Sequence, residues 1–441
     1  MEHAMSESKS PFATEPVGGL IVKFAIPCVI SLVVNALYNI VDQIFIGWGV
    51  GYLGNGATNI VFPITIITLA LAVLVGDGGA AYLSLKLGEG DMASLKKGVG
   101  NSVVMVTIAG IALLVITLVF MDPILTLFGA TDALRPYAEE YGYVIAIGLP
   151  FTMISTALNA MIRADGSPKF AMFSMVLGAV INTIFDPIFI FALGMGVRGA
   201  AIATVMGQVA SFVVSVLYLP RFKTCHLDRS AFRLHLNVCK NVLSLGVSSF
   251  ITQIAITIVM TLFNNLLAIY GAESIYGAEI PLTAMGIVMK VNQIMLSILV
   301  GIAVGAQPVI GFNYGCKNFD RVKKAFELAI FAAEVIAVIA FLIFEFAVMC
   351  FRIFLMLCPL NGFQTVTAIY LQAIGKPVKS AIVTLARQIV FLIPAALILP
   401  QMMGVTGVLW SGPVADALAF ILALSFVLYD RKQLKKVPVQ E

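Results

Sequence analysis

Two aspartates sit inside stretches that are otherwise apolar enough to cross a membrane. Asp42 lies in PCVISLVVNALYNIVDQIFIG, residues 27–47, and Asp186 lies in AVINTIFDPIFIF, residues 179–191. In the first stretch Asn35, Tyr38, Asn39 and Asp42 recur at i, i+3, i+4 and i+7, which places all four on one helical face. In the second, Asn182 and Asp186 are four apart on one face, and Pro187 leaves the carbonyl of Thr183 without its helical donor. Thr204 falls about a turn and a half into the next apolar run. A carboxylate in hydrocarbon is costly and is normally kept for a task. Two carboxylates, an amide, a hydroxyl and a freed carbonyl at similar depth suit a proton or a hard cation such as Na⁺. Burial and a neighbouring carboxylate both favour the neutral acid, so the pair is suited to take up and release a proton. The plainer reading is that these groups only satisfy one another inside a packed bundle, and Asn35, Tyr38 and Asn39 fit it as well as they fit a cavity wall.

Further polar groups lie in the second half. Lys290, Glu334, Arg387 and Asp416 are charged residues within apolar runs, and they read as buried ion pairs or a triad in preference to substrate contacts. Gln253, Asn264, Gln307 and Gln364, with Asn35, Tyr38 and Asn39, are candidates to line a cavity. The 19 Met and 30 Phe allow an adaptable apolar pocket. No Walker A sequence, HExxH or GxSxG is present, and the three His (His3, His226, His235) all lie outside the apolar runs. The expectation is a non-enzyme without cofactor, whose only metal is Na⁺ if that is the coupling ion. The six Cys show no CxxC spacing, and structural disulfides are not expected.

The elements that must hold these groups are helices in a membrane. Of the 441 residues 60% are hydrophobic and 11% charged, and mean hydropathy is +1.01. Soluble domains carry about 25% charged residues. Apolar runs of spanning length fall at 20–47, 56–82, 99–120, 138–162, 169–193, 199–219, 241–268, 281–308, 325–344, 346–373, 378–400 and 404–428. The expected fold is therefore an all-α polytopic membrane protein with twelve transmembrane helices. The tails, Lys23 and the loops after even-numbered runs hold 22 of the 27 Lys and Arg, whereas loops after odd-numbered runs hold only Arg135, Arg198 and Arg352. That asymmetry places both termini in the cytoplasm. Residues 1–16 are polar and lack the pattern of a cleavable signal. The basic residues are scattered over short loops and form no nucleic-acid module. Pro27 cannot donate to the carbonyl of Lys23 and marks a place where the first helix can bend.

The chain also repeats itself. Gly78-Gly79, Gly88 and Lys96-Lys97 recur 227 residues later as Gly305-Ala306, Gly315 and Lys323-Lys324. Leu149-Pro150 and Arg163-Ala-Asp-Gly166 recur 209 residues later as Cys358-Pro359 and Gln372-Ala-Ile-Gly375. The expected organisation is a six-helix lobe at 1–219, a cytoplasmic linker at 220–240 and a second six-helix lobe at 241–441. The lobes are related by a pseudo-two-fold axis along the membrane normal, with the substrate site between them. The fall in offset leaves the second half about 18 residues short near Phe344–Phe346, opposite the outer loop at 119–136, which implies either an unusually tight hairpin there or a loop missing from the sequence, with Glu345 at an outer helix end. Carrying the first run onto the seventh sets Phe263 opposite Asp42, and carrying the fifth onto the eleventh sets Ala395 opposite Asp186. Ion coupling is therefore expected in the first half alone.

These features together resemble the MATE family of multidrug and toxic compound extrusion transporters. The residues that carry the resemblance are Pro27 with VDQIFIG, GGAAYLSLKLGEGD after the second run, NTIFDP in the fifth, GIAVGAQPVIGFNYGCKNFDRVKKA and LQAIGKP. The similarity spans essentially the whole chain, and the set Asp42, Asn182, Asp186 and Thr204 is similar to the first-lobe ion site of the DinF-like branch. The resemblance implies two six-helix lobes and alternating access, with export of amphipathic, often cationic compounds in exchange for H⁺ or Na⁺. It implies a multi-pass protein of the cell membrane whose partners are small organic substrates and the lipid bilayer, and a monomer is expected. Bending of the first helix at a proline belongs to mechanisms proposed for the family, and Pro27 matches that position. A lipid-linked oligosaccharide flippase of the same superfamily and a channel are the rival readings. The first wants a cationic cavity, for which only Lys290 and Arg387 lie within runs, and the second needs no carboxylate pair.

Overall fold

The computed structural model describes residues 11–272, 279–344, 353 and 356–434. The shortfall near Phe344–Phe346 with Glu345, the loop residue Arg352, and the terminal residues His3, Lys9, Lys435 and Lys436 lie outside the described residues. Among the described residues the chain is helical and contains no strand. Long apolar runs favour this outcome, because in hydrocarbon a helix satisfies its backbone hydrogen bonds within one segment.

The first six spans are Val17–Val50, Tyr52–Gly88, Met92–Val119, Arg135–Ala164, Pro168–Ala192 and Gly196–Leu217. The seventh and eighth are Leu236–Ala272 and Glu279–Gly315, and the twelfth is Val405–Leu434. The eleventh runs from Pro377 to Met403. Ten helices among the described residues are long and apolar enough to cross a membrane. The expected ninth and tenth spans correspond to the helices Phe319–Phe344 and Cys358–Ala373. The expected outer loop at 119–136 carries a short helix, Met121–Leu127, tied down by an ion pair between Arg135 and Asp122. Prolines are tolerated: the first span passes Pro27 without a break. The fifth span widens into a π turn at Ile188–Ala192 directly after Pro187, and the eleventh does so at Ala386–Leu392. Such turns arise where the regular i−4 ladder is disturbed and often mark functional positions.

The chain divides into two compact units. One is Ile30–Phe250; the other joins Met1–Val29 to Ile251–Glu441. The division falls inside the first and seventh spans and not in the 220–240 segment expected to separate the lobes. Phe263 follows Asp42 by 221 residues, and Phe250 follows Val29 by the same 221. The chain therefore crosses between units at repeat-equivalent positions.

Small residues set the helix spacing within each unit. In the first unit a Cβ on Gly76 would meet the Ala157 backbone, and one on Gly178 would meet the Gly207 carbonyl. In the second unit Gly301 and Gly305 lie against Val29 and Ala25 of the first span. Close approach of this kind is the main packing device available where apolar side chains gain nothing over lipid. Each unit also docks the segment that precedes its incoming helix. Asn101 of the third span donates to the carbonyls of Ala231 and Arg233 at 3.1 and 2.9 Å and accepts from the N–H of His235 at 2.7 Å. In the second unit Arg321 donates to the carbonyls of Phe12 and Glu15 at 2.9 and 2.7 Å.

Candidate ion-coupling site

The fifth span places Asn182 and Asp186 one turn apart, both buried. The sixth span is drawn close to it at Gly207, which leaves no room for a Cβ against the Gly178 carbonyl. Thr204 stands one turn before Gly207. As a result the Asn182 amide Nδ2 donates to Thr204 Oγ1 at 3.1 Å and to Asp186 Oδ1 at 3.3 Å. Asp42 of the first span comes within hydrogen-bonding reach of both Asp186 and Asn182. The structure thus brings Asp42, Asn182, Asp186 and Thr204 together from three spans of one unit.

The hydrogen-bond balance of this cluster is one-sided. Asp42 Oδ1, Asn182 Oδ1 and Asp186 Oδ2 are buried oxygens with no protein donor. Ionised carboxylates only accept, so a hydrogen bond between the two acids requires a proton on one of them. A proton shared by the pair, or a hard cation held by their oxygens, supplies the missing positive partner. Among the described residues no three His, Cys, Asp or Glu side chains gather as a metal site. The donor set here is two carboxyls, an amide oxygen and a hydroxyl, which fits H⁺ or Na⁺ and not a softer metal.

Two tyrosines complete the surroundings. Tyr38, one turn before Asp42, feels the charges of Asp42 and Asp186 and is hydrogen-bonded to Asn39. Tyr141 of the fourth span is buried beside the same two carboxyls and Tyr38. The sequence reading missed Tyr141, because a tyrosine beside Tyr137 and Tyr143 at the start of an apolar run looks like packing; its depth opposite Asp42 was the available signal. Asn35 and Asn39 face each other along the first span, with the Asn39 amide donating to the Asn35 carbonyl at 2.7 Å, and Asn39 is exposed. Pro27 is buried, about 22 Å along the helix from Asp42 by the 1.5 Å rise per residue.

The remaining candidates belong to the second unit. Arg387 Nε donates to Asp416 Oδ1 at 2.7 Å, one residue into the π turn of the eleventh span. Glu334, grouped with this pair from sequence, instead accepts a hydrogen bond from the Phe363 N–H, and Lys290 is exposed. The four charges therefore form one ion pair and two separate groups, because a shared apolar run fixes depth but not the face that a side chain occupies. Gln364 donates to the Val383 carbonyl at 3.2 Å, while its Oε1 and the Nε2 of buried Gln307 have no protein partner. Gln253 is half-buried, and the side chain of Asn264 lies outside the described residues.

Known proteins resemble the chain over almost its whole length. The multidrug export protein MepA of Staphylococcus aureus (strain N315) is 25% identical over 442 aligned residues, covering 96% of each chain. That of Staphylococcus haemolyticus (strain JCSC1435) is 26% identical and covers 92% of each. Among solved structures, an outward-facing multidrug resistance MATE family transporter of the MOP superfamily superposes with a TM-score of 0.89. It shares 25% identity and covers 96% of this chain and 97% of its own. A MATE protein in the straight conformation superposes with a TM-score of 0.87, at 25% identity and coverage of 97% and 99%. Residues 27–188 and 249–398 match the MatE family, a stretch that takes in Asp42, Asn182 and Asp186 and well over half of the 441 residues, and so the chain belongs to the MatE family.

Proposed function

We propose that this protein is a secondary active multidrug efflux antiporter of the cell membrane, with both termini in the cytoplasm, working as a monomer. It exports amphipathic, often cationic organic compounds in exchange for H⁺ or Na⁺. The observation that carries the reading is the cluster of Asp42, Asn182 and Asp186 with its three buried oxygens lacking a protein donor. The coupling ion supplies positive charge there and Thr204 orients the Asn182 amide. Loss of the ion restores two close negative charges, which drives the first span away from the fifth. A ligand that binds one conformation better than another shifts the equilibrium between them, and alternating access follows from that shift. The names of the staphylococcal relatives and of the superposed transporter support the export direction.

The test uses purified protein in liposomes with an imposed pH gradient or Na⁺ gradient and a fluorescent organic cation. Transport driven by one gradient is expected, with a loss of at least about a hundredfold in Asp42→Asn and Asp186→Asn. Transport that ignores both gradients and both substitutions would sink the ion-coupled reading and favour a flippase or a channel.

A further inference from the structure

The seventh span enters the first unit at Leu236 and stays in it until Phe250. Its contact with the second span is made backbone to backbone. Gly246 stands against the Leu74 carbonyl and Gly78 against the Val242 carbonyl, and a Cβ on either glycine would overlap main chain. Ala81, Tyr82, Val242 and Leu245 form a buried apolar cluster beside this crossing, with Leu85 and Val238 packed on its rim. Apolar contact alone leaves two helices free to slide, since lipid competes on equal terms.

A polar group lies next to the crossing. Asp77 of the second span is hydrogen-bonded to Ser249 of the seventh and faces the guanidinium of Arg163 from the fourth. The Arg163 Nε is buried without a partner of its own. The ion-coupling cluster uses none of these three residues. Ser249 is also the last residue but one before the chain leaves the unit. The repeat makes the arrangement specific to this half. Gly305 against Ala25 is the counterpart of Gly78 against Gly246, but Val304 and Cys28 occupy the positions of Asp77 and Ser249. The first span thus has no carboxylate opposite it at this level, whereas the seventh is held by an added charged lock.

We propose that Asp77 is a positioning residue of the transport cycle. Through Ser249 and Arg163 it fixes residues 236–250 to the first unit, so that bending of the seventh span is confined to the Phe250–Ile251 crossing. The proposal rests on the transport reading above for its functional consequence, and on the structure alone for its mechanical part.

The experiment replaces the six native cysteines with alanine and joins Leu85→Cys to Val238→Cys with a short thiol crosslinker. Cation export from liposomes is measured with and without the bridge, in protein retaining Asp77 and in Asp77→Ala. Asp77→Ala is expected to slow export about tenfold, the effect of losing one hydrogen bond to a charged group. Ser249→Ala, which leaves the carboxylate in place, is expected to slow it less. The bridge is expected to restore the Asp77→Ala rate to that of the bridged protein retaining Asp77, because a covalent clamp replaces the lock. An unchanged rate in Asp77→Ala, a rate that the bridge does not restore, or arrest of the Asp77 protein by the bridge would each overturn the proposal. Absence of export from the unbridged Asp77 protein counts against the transport reading instead. Hydrogen exchange then decides the mechanical part: faster exchange over 236–250 in Asp77→Ala or Ser249→Ala supports the lock, and unchanged exchange in both refutes it.

Discussion

At the scale of single residues the two units solve one packing problem in opposite ways. Spans five and six meet through Gly178 and Gly207, with no side chain between their backbones. The matching positions of spans eleven and twelve, within one residue of register, hold Arg387 and Asp416 as an ion pair. The glycine contact brings Thr204 to Asn182 and so builds the polar cluster around Asp42 and Asp186. The ion pair instead joins its two helices through charged side chains. A buried pair is weak evidence of stability, but breaking it is costly, because the remaining charge is left unpaired. Arg387→Met and Asp416→Leu are therefore each expected to destabilise by about 3–5 kcal/mol, while the double substitution recovers most of the loss. Thermal unfolding in detergent checks this, and additive losses in the double variant would contradict it. Depth along the helix was enough to single out Asp42, Asn182, Asp186 and Thr204 as neighbours, because Asp, Asn and Thr are conspicuous in an apolar run. Asp77 escaped notice in GDGG because it lies among glycines at a span end, and the partners of Arg387 could not be ranked without knowing helix rotation.

Helices and their connections show the repeat reused with its parts exchanged. In the first unit Tyr218 at the end of span six donates to Asp165, in the turn after span four, at 2.7 Å. Asp165 also accepts from the backbone N–H groups of Lys223 and Thr224 at 2.8 and 2.9 Å, which ties down the start of the connecting segment. In the second unit the tyrosine is Tyr370 of span ten and the acid is Asp430 of span twelve, 2.8 Å apart, with Lys376 paired to the acid. The connecting segment is held a second time by Asp228, which pairs with Lys96 at 2.5 Å. The hydrogen bond from Lys96, helped by Ser230, lowers the Asp228 carboxyl from 3.8 to about 2. A lowered carboxyl contributes its stability above the ordinary value and loses it only as pH falls through the lowered one. Docking of residues 229–235 is thus expected to be constant from pH 8 to pH 5 and to loosen only in stronger acid. Hydrogen exchange of these amides across that range checks it; a transition between pH 5 and 8 would contradict it. None of this interlocking was legible in the sequence. Hydropathy locates a span to within a few residues, but a π turn adds one residue without changing composition, and capping partners lie on other helices.

For the molecule as a whole the important fact is where the chain passes between its units, at Val29–Ile30 and Phe250–Ile251. The sequence placed the division at 220–240 because composition changes there. It could not show that a continuous helix belongs to two bodies. Pro27 lies two residues before the first crossing, where its missing N–H weakens the helix against the Lys23 carbonyl. Pro27→Ala is expected to stabilise the first span by up to about 3 kcal/mol and to slow transport, because a stiffer crossing resists the bend. A variant that gains thermal stability and transports at the original rate would remove the proline from the cycle. The crossings also bear on how the protein is made. Domains of a nascent chain generally fold in order from the N-terminus. Here the first unit still lacks residues 236–250 when six spans have been synthesised, and residues 11–29 must wait for Gly301 and Gly305 before they find their packing surface. Neither half can finish alone on the ribosome, so a chain severed in the connecting segment must yield fragments that mature only when the translocation machinery releases both into the same patch of bilayer.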